Sequence, residues 1–328
     1  MSTSIFRRTL MVAAGALSFL ASTAALADSI SPVSFSAGLA VGESVTIRKT
    51  VTITQERPTT ALVDIMFVFD TTGSMGSGIA GAKATATSLL TSLNATYGGD
   101  LFSGAGFYND PGAAISANLS ASIAATQTAI NGYGAGGGGD YPELGFDGVG
   151  LAAQNGAWRP GSNRFIVVLG DAGFKASTFD NATTSAALTA SGAKLVGIDF
   201  CSNAGTCSSG PTFNSSVTGL GGSVFASSTS ADAIAASITA GIAAGFDNYS
   251  KVTVDDLGGG MPEIDVSTVC VSADIGACVG ADAVGKYDRS VDRTFEYDVT
   301  FTRLAAGDKA FSTFGLVDGG IVATERDS

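Results

Sequence analysis

The chain has 328 residues and a formal charge of −12, from 17 Lys and Arg against 29 Asp and Glu, which argues against nucleic acid and anionic membranes as partners. It contains no histidine, so His-based triads, His general bases and His-ligated zinc motifs are excluded at once. The four cysteines all fall late, and in an oxidising compartment the simplest pairing is two short loops, Cys201 with Cys207 and Cys270 with Cys278.

At the N-terminus Arg7 and Arg8 precede an apolar stretch from Leu10 to Ala21 and the small-x-small run Ala25-Leu26-Ala27. This predicts a secretory signal peptide over residues 1–27, cut before Asp28. A transmembrane anchor fits less well, because the apolar part falls short of the ~20 residues a span needs. No other stretch is long enough to cross a bilayer. The mature chain is therefore expected to be exported (periplasmic, secreted or cell-surface) without membrane insertion.

Its length exceeds the usual ~150 residues per domain, so two cores are expected. Residues 28–60 form an N-terminal β segment: Ser44 to Ile53 alternates apolar and polar, as a strand with one buried face does, and Pro58 punctuates its end. From Ala61 the runs become continuously apolar, as in strands covered on both faces. Leu62 to Phe69, Leu101 to Tyr108, Arg164 to Leu169 and Lys194 to Phe200 are such runs, with Ser223 to Ala226 a short fifth. Between them lie helical patterns: Ile79, Ala82, Ala86, Leu89, Leu90 and Leu93 repeat at three and four, and residues 114–130, 143–154, 183–191 and 230–244 read similarly. The expected fold class over residues 61–246 is therefore α/β, with a doubly wound, mostly parallel sheet that binds ligands at its carboxyl edge.

Residues 247–328 change character again. Val252 to Val254, Ile264 to Val271, Thr294 to Thr302 and Phe311 to Val317 are short β segments between Gly and Asp turns. They share the pattern of Ser44 to Ile53, which predicts a smaller β-sandwich built from both chain ends, with the α/β domain inserted in it. Two independent β pieces flanking the sheet are the alternative. The glycine run 134–139 reads as a mobile loop.

The chemistry concentrates at Asp70-Thr71-Thr72-Gly73-Ser74-Met75, where oxygen-bearing side chains at i, i+2 and i+4 leave a buried strand and can converge on a hard divalent cation. This loop, with Val63-Asp64-Ile65 ahead of it, resembles the von Willebrand factor A (VWA) domain and its metal-ion-dependent adhesion site. Three later segments are similar to the VWA-like domain of integrin β subunits: Gly104 to Asp110, Asp140-Tyr141-Pro142-Glu143-Leu144-Gly145-Phe146-Asp147, and Trp158-Arg159 followed by Arg164 to Leu169 and Asp171-Ala172-Gly173-Phe174. The resemblance implies that Thr72 and Ser74 bind a metal through their hydroxyls and Glu143 through its carboxylate. Asp70 and Asp171 would act mostly through water and hydrogen bonds. Hydroxyl, carboxylate and water ligands suit Mg²⁺, with Mn²⁺ or Ca²⁺ as alternatives, and a partner protein's acidic residue would take the open position.

A second integrin-type site would use Asp110, Asp140, the carbonyl of Pro142 and Glu143, but Gly138 stands where an Asn is expected. A third would need acids where Ser77 and Gly78 stand, so it is expected to be absent. Asp64 and Asp147 read as hydrogen-bonded structural acids.

Other readings of the Asp70 loop are weaker. An aspartic protease needs Asp-Thr-Gly and a second copy, and a haloacid-dehalogenase-type phosphatase needs an acid at Thr72; neither requirement is met. No phosphate loop ending in Gly-Lys-Ser/Thr occurs. Simple helix capping explains one of Asp70, Thr72 and Ser74, not all three. The expectation is a non-catalytic, metal-dependent binding module, or a matrix or cell-surface structural protein whose metal only stabilises the fold.

Overall fold

The computed structural model describes residues 28–58, 61–201, 212–259, 261–307 and 310–328; the expected signal peptide and Cys207 lie outside the described residues. Three strands come first: β1 (Ser29–Ser31), β2 (Ser34–Phe35) and β3 (Ser44–Ile53). In β3 the alternation predicted from sequence turns Lys49, Val51 and Ile53 into the interior and leaves Ser44, Thr46 and Arg48 exposed.

The chain then builds the α/β sheet. It runs through β4 (Val63–Asp70), α1 (Gly76–Thr96), β5 (Leu101–Tyr108), β6 (Ala113–Ser120), α2 (Ile123–Gly132), α3 (Gly145–Asn155), β7 (Asn163–Gly170), α4 (Asn181–Ser191), β8 (Lys194–Asp199), α5 (Phe213–Gly219), β9 (Ser223–Ala226) and α6 (Ala231–Asp247). The strand order is β6-β5-β4-β7-β8-β9, with every neighbouring pair parallel except β5 and β6. β4 is buried at every residue because helices cover both faces, which is why its sequence does not alternate. One apolar layer packs the sheet against α1, α2 and α6, through Ile79, Leu90, Ile130 and Ile238. The other packs it against α3, α4 and α5, through Val149, Leu188 and Phe213.

The expected helix over 114–130 is corrected by the structure. Ala113–Ser120 is an edge strand, and the helix starts only at Ile123, capped by the Ser122 hydroxyl accepting from Ala125 N. Ser116 and Asn118 are exposed while Ile115, Ala117 and Leu119 face inward, a period of two that the abundance of alanine obscures.

Beyond α6 come β10 (Asn248–Asp255), β11 (Ile264–Ser272), β12 (Ala277–Val279), β13 (Asp282–Asp288), β14 (Arg293–Arg303), β15 (Phe311–Val317) and β16 (Gly320–Asp327). They form two sheets, β1-β3-β14-β11 and β12-β13-β10-β15-β16-β2, that share one apolar core including Val51, Val252, Phe295 and Val299. Both chain ends thus lie in the same pair of sheets. Cys270 and Cys278 are joined, as their spacing predicts. No helix among the described residues is long and apolar enough to cross a membrane.

Arg289 ties the places where the chain enters and leaves the α/β part. Its buried guanidinium donates to both carboxylate oxygens of Asp28, at 2.8 and 2.6 Å, to the carbonyls of Thr54 and Glu56, and through Nε to the carbonyl of Phe246. Removing one partner of a buried pair strands the other charge, at a cost of about 3–5 kcal/mol. Arg289→Met is therefore expected to lower unfolding stability by about that amount, read as a reduced urea midpoint.

Candidate metal centre

Asp70 is the last residue of β4, at the carboxyl edge of the sheet, where the connections diverge to β5 on one side and β7 on the other. Ligand sites in open α/β sheets form at such switch points. Its side chain is fully buried, and Oδ1 accepts from Thr72 N at 2.9 Å and Thr72 Oγ1 at 2.7 Å. Thr72 Oγ1 lies 3.5 Å from Ser74 Oγ, which donates to Asp171 Oδ1 at 3.0 Å. Four oxygen-bearing side chains from two loops are therefore linked in one chain. Neither the short turn Gly73–Met75 nor α1 has a side-chain N-cap, so capping does not explain these residues.

Glu143 arrives from a third segment. Its backbone pairs with the loop after β7: Glu143 N donates to Gly173 O at 2.8 Å, and Lys175 N donates to Glu143 O at 2.7 Å. Gly145 permits this approach, since a Cβ there would lie 2.0 Å from the Phe174 ring. A Cβ on Gly138, which has φ +72°, would lie 3.0 Å from Thr72 Cβ and 3.3 Å from Glu143 Oε1, so these three residues are mutual neighbours.

The glycine run expected to be a mobile loop is pinned to the site. Gly136 N donates to Thr71 O, Gly73 N to Gly137 O, and Asn109 Nδ2 to both Thr71 O and Gly136 O.

The electrostatics favour an added cation. Asp70 Oδ2 and Glu143 Oε2 are buried with no hydrogen-bond partner among the protein groups. Burial pushes the Asp70 carboxyl up to about 7, against its hydrogen bonds from Thr72. Burial and then the neighbouring charge of Asp70 push Glu143 up to about 8, and burial raises Asp171 as well. Tyr108, fully buried beside all three acids, is driven well above its ordinary value by burial and then by their charge. Orphaned carboxylate oxygens are unfavourable out of water. The donor set of two hydroxyls and three carboxylates is one that a hard divalent cation accepts. Among the described residues no three acidic or cysteine side chains are arranged to hold a metal by themselves, so any ion here would also draw on the neighbouring hydroxyls of Thr72 and Ser74.

The second expected set meets a different fate. Asp110 and Asp140 are brought together, but the Lys175 ammonium bridges them, contacting Asp110 Oδ2 and lying 3.0 Å from Asp140 Oδ1. That hydrogen bond holds the Asp140 carboxyl below its usual range. Pro142 lies between Asp140 and Glu143, in a segment whose Tyr141–Pro142 bond is cis. Asp64 and Asp147 are structural, as expected: Asp64 accepts from Arg159 and Ser162, and Asp147 from the backbone of Thr178 and Phe179. Lys175 directly follows the segment Asp171 to Phe174, and Asn109 lies within the segment Gly104 to Asp110, but their sequence context gives neither a role.

Residues 64–195 match the family model of the von Willebrand factor A domain. The chain contains a VWA domain. Among solved structures it is similar to a von Willebrand factor type A protein from Catenulispora acidiphila, with 14% identity and a TM-score of 0.42, over 93% of this chain and 75% of that one. It is also similar to proximal thread matrix protein 1 from the mussel byssus, with 15% identity and a TM-score of 0.45, over 62% of this chain and 48% of that one. A form of the mussel protein with a zinc-occupied MIDAS motif gives 16% and 0.44, over 61% and 48%. The chain thus spans about half the length of the mussel protein. No curated protein matches it.

Two outcomes are expected for the VWA site. Asp70→Asn, which removes a buried charge, should stabilise the chelator-treated protein by about 1 kcal/mol while abolishing any rise in melting temperature on adding Mg²⁺ or Mn²⁺, both read by scanning calorimetry. Lys175→Ala should free Asp110 and Asp140 and raise the number of Mn²⁺ ions bound per chain from one to two in a metal titration.

Proposed function

We infer that this protein is an exported, non-catalytic adhesion or protein-binding module that captures an acidic residue of a partner protein through a divalent cation at the VWA site. The observation that carries this reading is the linked set Asp70, Thr72, Ser74 and Asp171 beside Glu143, with two buried carboxylate oxygens left unpartnered. Thr72 and Ser74 would hold the ion through hydroxyls and Glu143 through its carboxylate, while Asp70 and Asp171 orient those hydroxyls. Mg²⁺ is the preferred ion, with Mn²⁺ or Ca²⁺ as alternatives. The cation supplies an open coordination position that a carboxylate can occupy.

Within the VWA family, the entry of Glu143 through Asp140 to Asp147 supports an integrin β-like variant. The Lys175 bridge between Asp110 and Asp140 occupies the second expected set and leaves a single ion site. The absence of histidine from the sequence removes the commonest general base and supports a binding role over a catalytic one. The disulfide and the expected signal peptide support export.

A second reading also has an observation behind it. Asp70, Thr72 and Glu143 are all buried, and the glycine run is bonded across the loop, as suits an ion that only stiffens the domain.

Calorimetric titration of Mg²⁺ and Mn²⁺ into the wild type and an Asp70→Ala variant tests the metal claim. Heat in the wild type alone is expected; equal heats, or none in either, would overturn it. If chelation lowers the melting temperature yet leaves retention on immobilised acidic peptides unchanged, the stiffening role replaces the adhesive one.

A further inference from the structure

Far from the VWA site, the interior of the sandwich holds a lysine and two acids that the binding function does not use. The alternation of β3 places Lys49 on the inward face between Ile47 and Val51. Ala323, Glu325 and Asp327 turn inward in the same way on β16, in the opposite sheet. Lys49 and Glu325 have no exposed surface at all, and Asp327 almost none. The Lys49 ammonium contacts Glu325 Oε2, lies 3.4 Å from Asp327 Oδ1, and sits 5.2 Å from the centre of the Phe301 ring. Asp327 Oδ2 accepts from the buried Thr313 hydroxyl at 2.8 Å, while Glu325 Oε1 has no protein partner.

One cation and two acids in an apolar interior are poorly matched, since a buried ion pair barely offsets its own desolvation and an extra negative charge adds to the cost. Removing the charges by covalent chemistry resolves the mismatch. We propose that Lys49 and Glu325 condense to an intramolecular amide, with Asp327 as the proton carrier, joining β3 to β16 across the sandwich.

The reaction needs no outside reagent. The Asp327 carboxylate takes a proton from the Lys49 ammonium, and the neutral Nζ attacks Cδ of the protonated Glu325 carboxyl. The C–N bond forms, the C–OH bond breaks and one water leaves; Asp327 keeps one proton as a neutral acid. The geometry favours each step. Fixed contact removes the entropy cost of bringing the groups together, and exclusion of water disfavours the reverse hydrolysis. Burial pushes the Glu325 carboxyl up to about 7, so a share of it is in the acid form from which water can leave. The bond would link residues 276 apart in sequence, so the whole inserted VWA domain would lie inside one covalent loop.

Mass spectrometry of the intact full chain and of its tryptic digest tests this. The wild type is expected one water lighter than its processed sequence with the cysteines paired, with a joined peptide whose fragment spectrum places the link between Lys49 and Glu325. Lys49→Met and Asp327→Asn are expected at full mass. A wild type at full mass with Lys49 in an ordinary linear peptide would overturn the proposal even if neither variant folds, and a fragment series placing the link on Asp327 would overturn the roles given to the two acids.

Discussion

An acid held out of water needs a cation or a full set of donors, and the way this chain meets that requirement differs from place to place. Asp64 is matched by Arg159 and Ser162, Asp28 by Arg289, and Asp110 with Asp140 by Lys175. Asp147 is satisfied by two backbone amides. Asp70, Glu143 and Asp171 are the exception: among the described residues none of them forms an ion pair, and Asp70 Oδ2 and Glu143 Oε2 have no well-formed hydrogen bond, although the Tyr108 hydroxyl lies beside Asp70. Lys175 is near enough to ease the Glu143 charge but is engaged by the neighbouring pair of aspartates. The chain supplies an internal cation to Asp28, Asp64, Asp110 and Asp140, and backbone donors to Asp147, but supplies no cation to the acids at the carboxyl edge of the sheet.

The sheet explains why the exception falls where it does. β4 lies between β5 and β7, so the loops after these three strands emerge side by side, and each contributes an acid: Asp70, Asp110 and Asp171. Glu143 belongs to no strand of this sheet and is brought in by its backbone bonds to Gly173 and Lys175. The two glycines that allow its approach are forced by contact distance: any side chain at Gly145 would strike the Phe174 ring, and one at Gly138 would crowd Thr72 and Glu143.

Much of this was legible in the sequence because a buried strand has an unmistakable composition. Ile65 to Phe69 and Phe165 to Leu169 are continuously apolar and run into short polar loops, so the sheet and its Asp70 and Asp171 ends are legible directly. Ala113 to Ser120 could not be read, since alanine is compatible with either period and only the exposure of Ser116 and Asn118 separates strand from helix. The glycine run suggests mobility for a related reason: composition reports backbone freedom, whereas its bonds to Thr71, Gly73 and Asn109 come from other segments. Lys175 was missed because a lone lysine beside a motif looks like a solvated surface charge until its two aspartates, 65 and 35 residues earlier, are seen to converge on it.

The sandwich adds a constraint that the VWA domain alone does not have. Its two sheets take strands from both chain ends, so a force that draws β3 and β10 apart would load the inserted domain directly unless β3 is fastened elsewhere. Two fastenings are visible. Arg289 gathers Asp28, Thr54, Glu56 and Phe246 where the chain crosses between the two parts, and Lys49 joins β3 to β16 through the core. Polar contacts of this kind are a poor source of equilibrium stability, because burial nearly cancels their attraction. Their geometry is better explained by position: each spans strands or loops from the two chain ends, and so fastens the frame into which the α/β part is inserted.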